Sequence, residues 1–393
     1  MLAATARVTR DLDAAEESVQ DAYVAALEAW SRDGVPDKPA AWLTTVARRT
    51  ALTAVSRRRT LSTKLPLLLE PEAGEMPEPA DPESIPDDRL RLIFTCCHPA
   101  LAREAQVALT LRLVCGVSTS DIAQMFLVSE PTMAARVTRA KKKIAAARIP
   151  YVVPGADELP ARLDAVLTVI HLLYTTGHTA PSGEALTRAE PAERALDLAR
   201  MLLALMPSDR EAQGLLALLL VNHARRATRA DEDGRLILLE DQDRSVWDRA
   251  AIEEGHQLVL MSLRGGRPGR FTLQAAIAAL HAQADSYAAT DWPQIVTLYD
   301  ELLRIWPSPV VALNRAIAVS MVDGPEAGLA AVSGLEADGR LAGYRYLPAA
   351  KADMLRRLGR RGEAAAAYRA ALGLAENDAE RAFLERRLAD CTD

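Results

Sequence analysis

An all-α fold is expected from composition, apolar spacing and the placement of helix-breaking residues. Ala, Leu, Arg and Glu dominate and lose little rotamer freedom in a helix, whereas aromatics make up only 4% of the chain. Apolar residues recur at intervals of three and four, and β-branched runs of period two are scarce. At 393 residues the chain exceeds what a single core usually holds, so two or three domains are expected. Charge is unevenly divided among them. Residues 1–150 carry twenty bases and nineteen acids, but eight of those acids lie within Pro66–Asp88, and residues 151–393 are net −7. A basic front and an acidic back assign any nucleic acid to the front.

The first helix is expected over Asp13–Trp30, with Val19, Tyr23, Ala26 and Trp30 as its apolar stripe, and Gly34, Pro36 and Pro39 ending it. A second follows over Ala41–Arg59, with Trp42, Val46, Ala47 and Leu52 on one face and Arg48 and Arg49 on others. Pro66–Asp88, with six prolines, eight acids and no base, reads as a linker. Four helices then cover Arg89–Cys97, Glu104–Val114, Thr119–Phe126 and Glu130–Arg148.

The last two carry a helix-turn-helix signal. Ser118 and Asp121 make a capping-box start, and Ile122, Ala123 and Phe126 form the inner face of a short helix. Ser129 is expected to cap the next helix, with Pro131 in its first turn. Met133, Val137, Ala140 and Ile144 repeat at four, three and four, leaving Thr132, Ala135, Arg136, Arg139, Lys142 and Lys143 outside. With six bases against two acids over residues 118–148, that outer face is positive and suits the DNA major groove. Arg136 is placed to read a base edge, and Arg139 and Lys141–Lys143 to meet phosphates. Leu127 stands where such turns usually carry glycine, a position that favours positive φ.

The remaining 240 or so residues read as helical pairs. Gly324 and Gly359 are 35 apart and Thr290 is 34 before Gly324. The run Leu358-Gly359 through Ala364, Tyr368, Ala371 and Leu372 follows the second-helix pattern of a tetratricopeptide repeat. Pro207 and Pro307 stand where that repeat closes, while Asp231–Asp248 is an insert fitting no repeat. A helical solenoid is expected, with Trp247 and Trp306 in its core.

The order of these parts resembles a known family. Ala15–Leu27 (AEESVQDAYVAAL) looks like the polymerase-docking helix of sigma-70 factors, and Ala41–Arg59 (AWLTTVARRTALTAVSRRR) resembles the helix that reads and opens the −10 element. Ser118–Ile144 resembles the region that reads the −35 element. The phrases IPDDRLRLIFTCCHPALAREAQVALTLRLV, LLEDQDRSVWDRA and SPVVALNRAIAV are similar to those of an extracytoplasmic-function subgroup with a tetratricopeptide-type extension. The resemblance implies sigma region 2 over 1–62, an acidic linker over 63–88, region 4 over 89–149 and a helical-repeat extension over 150–393. Core RNA polymerase would be met by Glu17, Gln20, Asp21 and Val24. Promoter DNA would be met by Arg48, Arg49, Arg57, Arg58 and Arg59 in region 2. In region 4 it would be met by Ser129, Thr132, Ala135, Arg136, Arg139, Lys142 and Lys143. The extension would regulate the factor, offering a concave surface to a protein or small-molecule ligand. Arg49, Thr53 and Ser56 depart from common family residues, and only about ten residues precede Asp11, so the family's first helix is expected to be cut short.

Other chemistry is weakly represented. No G-x-S-x-G, P-loop or G-x-G-x-x-G motif is present, so no enzymatic activity is expected, and no cofactor. Cys96-Cys97-His98 lacks a second ligand pair and reads as a buried helix end rather than a zinc site. The histidines at 171, 178, 223, 256 and 281 suggest no cluster, and Gly177 reads as the stop of the helix carrying Tyr174 and His178. With no signal peptide and no apolar run longer than Leu215–Val221, a cytoplasmic protein without a membrane span is expected. Two rival readings are a dimeric DNA-binding regulator with a repeat-type sensor domain and a protein-interaction scaffold. A short docking segment, Tyr151-Val152 with the helix near Leu163–Tyr174, is expected to pack the extension on region 4.

Overall fold

The computed structural model describes residues 1–64, 88–126, 128–152, 154–155, 157–179, 183, 186–187 and 189–392. Eighteen α-helices occupy them, and among the described residues the only extended pairings are two isolated bridges. The chain forms two compact units, Met1–Val169 and Ile170–Asp393. Of the linker expected over 63–88, residues 65–87 lie outside the described residues, as does Leu127, while Thr63 and Lys64 close the third helix and Asp88 opens the fourth.

In the front unit α1 (Leu2–Thr9), α2 (Leu12–Asp33) and α3 (Pro39–Lys64) pack together, and α1 also touches α4 (Asp88–Cys96). The ten residues before Asp11 thus contribute a packed helix to this unit. Ala3, Thr5 and Ala6 of α1 are buried, and Arg10 in the left-handed region (φ 51°) ends the helix by donating its N–H to Ala6 O at 2.8 Å. The buried face of α2 is also not the expected bulky stripe. It consists of Leu12, Ala14, Ala15, Ser18, Ala22 and Ala26, while Tyr23, Val24 and Leu27 point outward. Small residues let helix axes approach closely, so α2 buries its flat side against α1 and α3. The core continues through Leu90, Leu92, Ile93 and Phe94 of α4, all fully buried, into α5 (Arg103–Leu113), α6 (Thr119–Met125) and α7 (Glu130–Ala146). Each such side chain contributes about 1.5–3 kcal/mol by leaving water.

α8 (Leu159–His178) ends one residue after Gly177, next to the expected stop, and Gly177 itself is buried. The second unit stacks α9 (Ala189–Leu205), α10 (Arg210–Ala224), α11 (Arg249–Leu263), α12 (Arg270–Gln283) and α13 (Trp292–Ile305). It continues with α14 (Pro309–Val322), α15 (Pro325–Asp338), α16 (Tyr346–Arg357), α17 (Arg361–Leu374) and α18 (Asp378–Thr392). Contacts run mostly from each helix to its sequence neighbours, as in stacked helical hairpins. α10 is apolar all round because it is covered by α9, α11 and α12, which accounts for the run Leu215–Val221. Two of its residues act on α12. Gly214 lets the backbone of Thr272 approach to where a Cβ would sit at 2.6 Å, and the Glu211 carboxylate accepts from Phe271 N at 2.9 Å and Thr272 N at 3.1 Å. That carboxylate replaces the side-chain cap that Gly269 cannot supply.

The 35-residue glycine spacing has a local cause. Gly359 (φ 73°) closes α16 in a Schellman motif, with Arg360 N donating to Leu355 O and Gly359 N to Arg356 O, each at 2.9 Å. Gly324 (φ 91°) turns the chain into α15. The insert after α10 folds into a tight turn in which Asp231 accepts from Asp233 N and Arg235 N, followed by two short 3-10 turns. Trp247 at its end is buried and donates Nε1–H to Thr228 Oγ1 at 2.9 Å. Trp306 is half-buried against Leu273, Leu302 and Val311. The stack's two ends meet where Asp378 N and Asn377 Nδ2 both donate to Gly183 O at 3.1 Å.

Candidate nucleic-acid interface

The helix-turn-helix is built from local signals. Ser118 Oγ accepts from Asp121 N at 3.0 Å to start α6, which buries Ile122 and Ala123. α7 carries its proline in the first turn, and its buried residues are Met133, Val137, Ala140 and Ile144. Ser129 does not cap the helix with its side chain as expected; its hydroxyl instead pairs with Thr132 Oγ1 at 2.8 Å. Thr132, Ala135, Arg139, Lys142 and Lys143 are exposed on the outer face. Arg136 is half-buried with its guanidinium 5.7 Å from the centre of the Phe126 ring, within cation–π reach. Lys141 departs from the expected phosphate-contacting role. Its ammonium pairs with Glu16 of α2 and lies 3.5 Å from Asp13.

A second basic surface lies on α3. Its buried residues include Ala47 and Ala51, while Arg48, Arg49, Arg57 and Thr53 are exposed. Leu52, expected in the apolar stripe, is 57% exposed. Arg58 and Arg59 lie on α3, with side chains outside the described ones. Trp42 is half-buried, its ring centre 5.5 Å from that of Trp30 on α2. On α2 itself Glu17, Gln20, Asp21 and Val24 are all exposed, and their spacing puts them on one face. Tyr23, expected in the buried stripe, and Leu27 border that face at 52% and 72% exposure as an apolar patch.

Long-range contacts hold the front unit together. The Tyr151 hydroxyl lies 2.8 Å from Asp88 O and 3.0 Å from Ala3 O, donating its single proton to one or the other. Burial, chiefly, raises its pKa well above the ordinary phenol range, so it remains a donor. Tyr151 therefore docks on α1 and the first residue of α4, away from α7, and Val152 is 41% exposed. Arg162, buried, donates to Phe94 O at 3.2 Å, and Arg7 reaches Asp88 at 3.5 Å.

The sulfur and imidazole groups are placed as follows. Cys96 and Cys97 are buried, and burial pushes the Cys97 thiol up to about 12. His98 Nδ1 accepts from Ala100 N at 3.1 Å. Among the described residues no group of three or more His, Cys, Asp or Glu is placed to hold a metal ion. The histidines are less scattered than the sequence suggests. His178 stacks on Tyr174 at 5.3 Å, and His223 meets the same ring edge-on at 6.3 Å. Among the described residues, no helix is long and apolar enough to cross a membrane.

Known families match three parts of the chain. Residues 2–60 match Sigma-70 region 2, residues 91–144 match Sigma-70 region 4, and residues 162–263 match a family of unknown function, DUF6596. An uncharacterized protein of Rhizobium meliloti (strain 1021) is 44% identical over 392 residues, spanning 98% of this chain and 92% of that protein.

Proposed function

From the premise that the chain belongs to the sigma-70 family, as a sigma factor with a C-terminal extension, we propose that it is of the extracytoplasmic-function type. A sigma factor is a transcription-initiation subunit that joins core RNA polymerase to promoter DNA. In this reading α7 enters the major groove at the −35 element, Arg136 reads a base, and Arg139, Lys142 and Lys143 meet phosphates. α3 holds the −10 element through Arg48, Arg49 and Arg57 to Arg59. α2 docks on polymerase through Glu17, Gln20, Asp21 and Val24, with Tyr23 and Leu27 adding apolar area at the edge. Polymerase holds both DNA-binding surfaces at once, so each element binds at the high effective concentration set by the other. The extension regulates this activity.

The observation that carries the reading is the clean division of α7. Four apolar residues face the core, and the exposed face holds three cations. Run-off transcription with core polymerase tests it. The full chain should support initiation from a matched promoter. An Arg139→Ala, Lys142→Ala, Lys143→Ala variant should lose most of that yield at physiological salt, because each phosphate contact adds to the salt-dependent affinity. Tight, dimeric binding to palindromic DNA without polymerase, and no transcript with it, would favour a conventional regulator and sink the proposal.

A further inference from the structure

Within the C-terminal unit, α13, α14, α16 and α18 surround a cavity of about 580 Å³, with Leu238–Glu240 of the insert forming one wall. That volume is within the range of small-molecule sites. One turn of a helix, about 10–12 Å across with its side chains, would already fill it, so a folded partner segment is a poor fit. Five of the chain's seventeen aromatic residues line it: Tyr287, Trp292, Tyr299, Tyr368 and Phe383. Tyr368 belongs to the buried core of α16 to α18, while Trp292, Tyr299 and Phe383 are only partly buried against their core clusters and also line the cavity.

The charged groups around the cavity are unbalanced. Three arginines (Arg356, Arg357 and Arg387) face two carboxylates (Glu240 and Asp353), in a unit that is otherwise acidic. Arg356 is satisfied by Asp353 at 2.7 Å. Arg357 donates to Ser320 Oγ at 3.1 Å and Ser320 O at 3.0 Å, and Arg387 lies 5.4 Å from the Phe383 ring centre. Among the described residues neither Arg357 nor Arg387 meets a carboxylate. Burial keeps three of the lining groups uncharged: it takes His281 down to about 4 and raises Tyr287 and Tyr299 to about 12. His281 Nδ1 is buried there without a hydrogen-bond partner among the described residues.

We propose that this cavity binds a small amphipathic anion, with a flat or acyl apolar body against Trp292, Tyr299 and Phe383. Its carboxylate, sulfonate or phosphate meets Arg357 and Arg387. The two arginines without carboxylate partners select the sign of the charge, and the uncharged ring faces take the apolar body. The proposal stands on the extension alone and survives or fails independently of promoter recognition.

A matched pair of fluorescent probes tests it on the full chain: 8-anilinonaphthalene-1-sulfonate, and N-phenyl-1-naphthylamine, which carries the same rings without the charge. The sulfonate should bind with one-to-one stoichiometry and about tenfold tighter than the neutral probe. Arg357→Ala combined with Arg387→Ala should erase that preference and leave the neutral probe's affinity unchanged. Ala349→Trp, which fills the cavity from α16, should remove both. Equal affinities in the unaltered protein, or sulfonate binding undiminished by the arginine pair, would overturn the assignment. Because the two arginines lie at the edge of the cavity, that arm does not depend on the filled variant folding.

Discussion

Arg136 differs from its neighbours on α7 because it is half-buried and rests over Phe126, whereas Lys142 is free in solvent. A guanidinium held over a ring is oriented before DNA arrives, which favours base reading; a mobile ammonium favours phosphate. With polymerase holoenzyme, Arg136→Ala should cost about 1–3 kcal/mol on a matched −35 element and much less on a scrambled one. Lys142→Ala should weaken both equally and lower the salt slope by about one. Equal losses for Arg136→Ala on the two sequences would remove its base-reading role. The histidines give a pH signature. Burial, with Arg270 second, lowers His171 to about 4, and burial, with Arg225 next, does the same for His281. As pH falls, the unfolded imidazoles take up protons from about 6.5 while the folded ones wait until about 4, so stability is lost across that interval. At pH 5 each contributes a loss of about 2 kcal/mol, and His171→Gln or His281→Gln should flatten the fall in urea midpoint between pH 7.5 and 5. At this scale the sequence was unevenly legible. The α7 stripe could be read because bulky apolar residues recur at four, three and four. The face of α2 could not, because alanine and serine carry the packing and the large side chains wait for a partner. Lys141 finds Glu16 from 125 residues away, and no local pattern announces such a pair.

Among the elements, close approach outweighs helix propensity. Gly214 sits inside α10, where glycine costs about 1 kcal/mol relative to alanine, yet a Cβ there would meet Thr272 backbone atoms at 2.6 and 2.8 Å. Gly334 in α15 has nothing within 4 Å. The same substitution should therefore act in opposite directions. Gly334→Ala should stabilise by up to about 1 kcal/mol, and Gly214→Ala should destabilise by about 1–3 kcal/mol as α10 and α12 are forced apart. Thermal unfolding of the two variants measures the difference, and a stabilising Gly214→Ala would show that α12 yields freely. Gly177 makes the related point about prediction. Glycine near the end of an apolar pattern reads as a stop, and α8 does end one residue later, at His178, although Gly177 does not take the positive φ of a C-terminal cap.

At the level of the whole molecule, the front unit extends well beyond the helix-turn-helix. Tyr151 and Arg162 both satisfy carbonyls in it, at Ala3 or Asp88 and at Phe94. Ending the chain after Arg148 removes both donors, and each hydrogen bond lost is worth about 0.5–1.5 kcal/mol. Such a truncated protein should show faster hydrogen exchange in α1 and α4, and Tyr151→Phe should reproduce part of that change. Unaltered protection in both would show that the front unit stands without them. A fall in transcription after that cut would therefore report a loosened front unit before it reported a missing regulator. The order of domains was legible in the sequence, but this dependence was not, because it rests on single hydrogen bonds between distant residues.

The meeting of Gly183 with Asn377 and Asp378 bears on how the rear unit comes apart. An open array of hairpins can fray one pair at a time from either terminus, because each pair leans only on the next. Here the start of the last helix is fastened to a residue that precedes the first full pair, so fraying from that end must also break these two hydrogen bonds. The array should then unfold as one cooperative block, with α17 and α18 exchanging their amide protons as slowly as α10. Asn377→Ala should release the fastening and let the final pair exchange ahead of the rest, turning a single transition into a graded one.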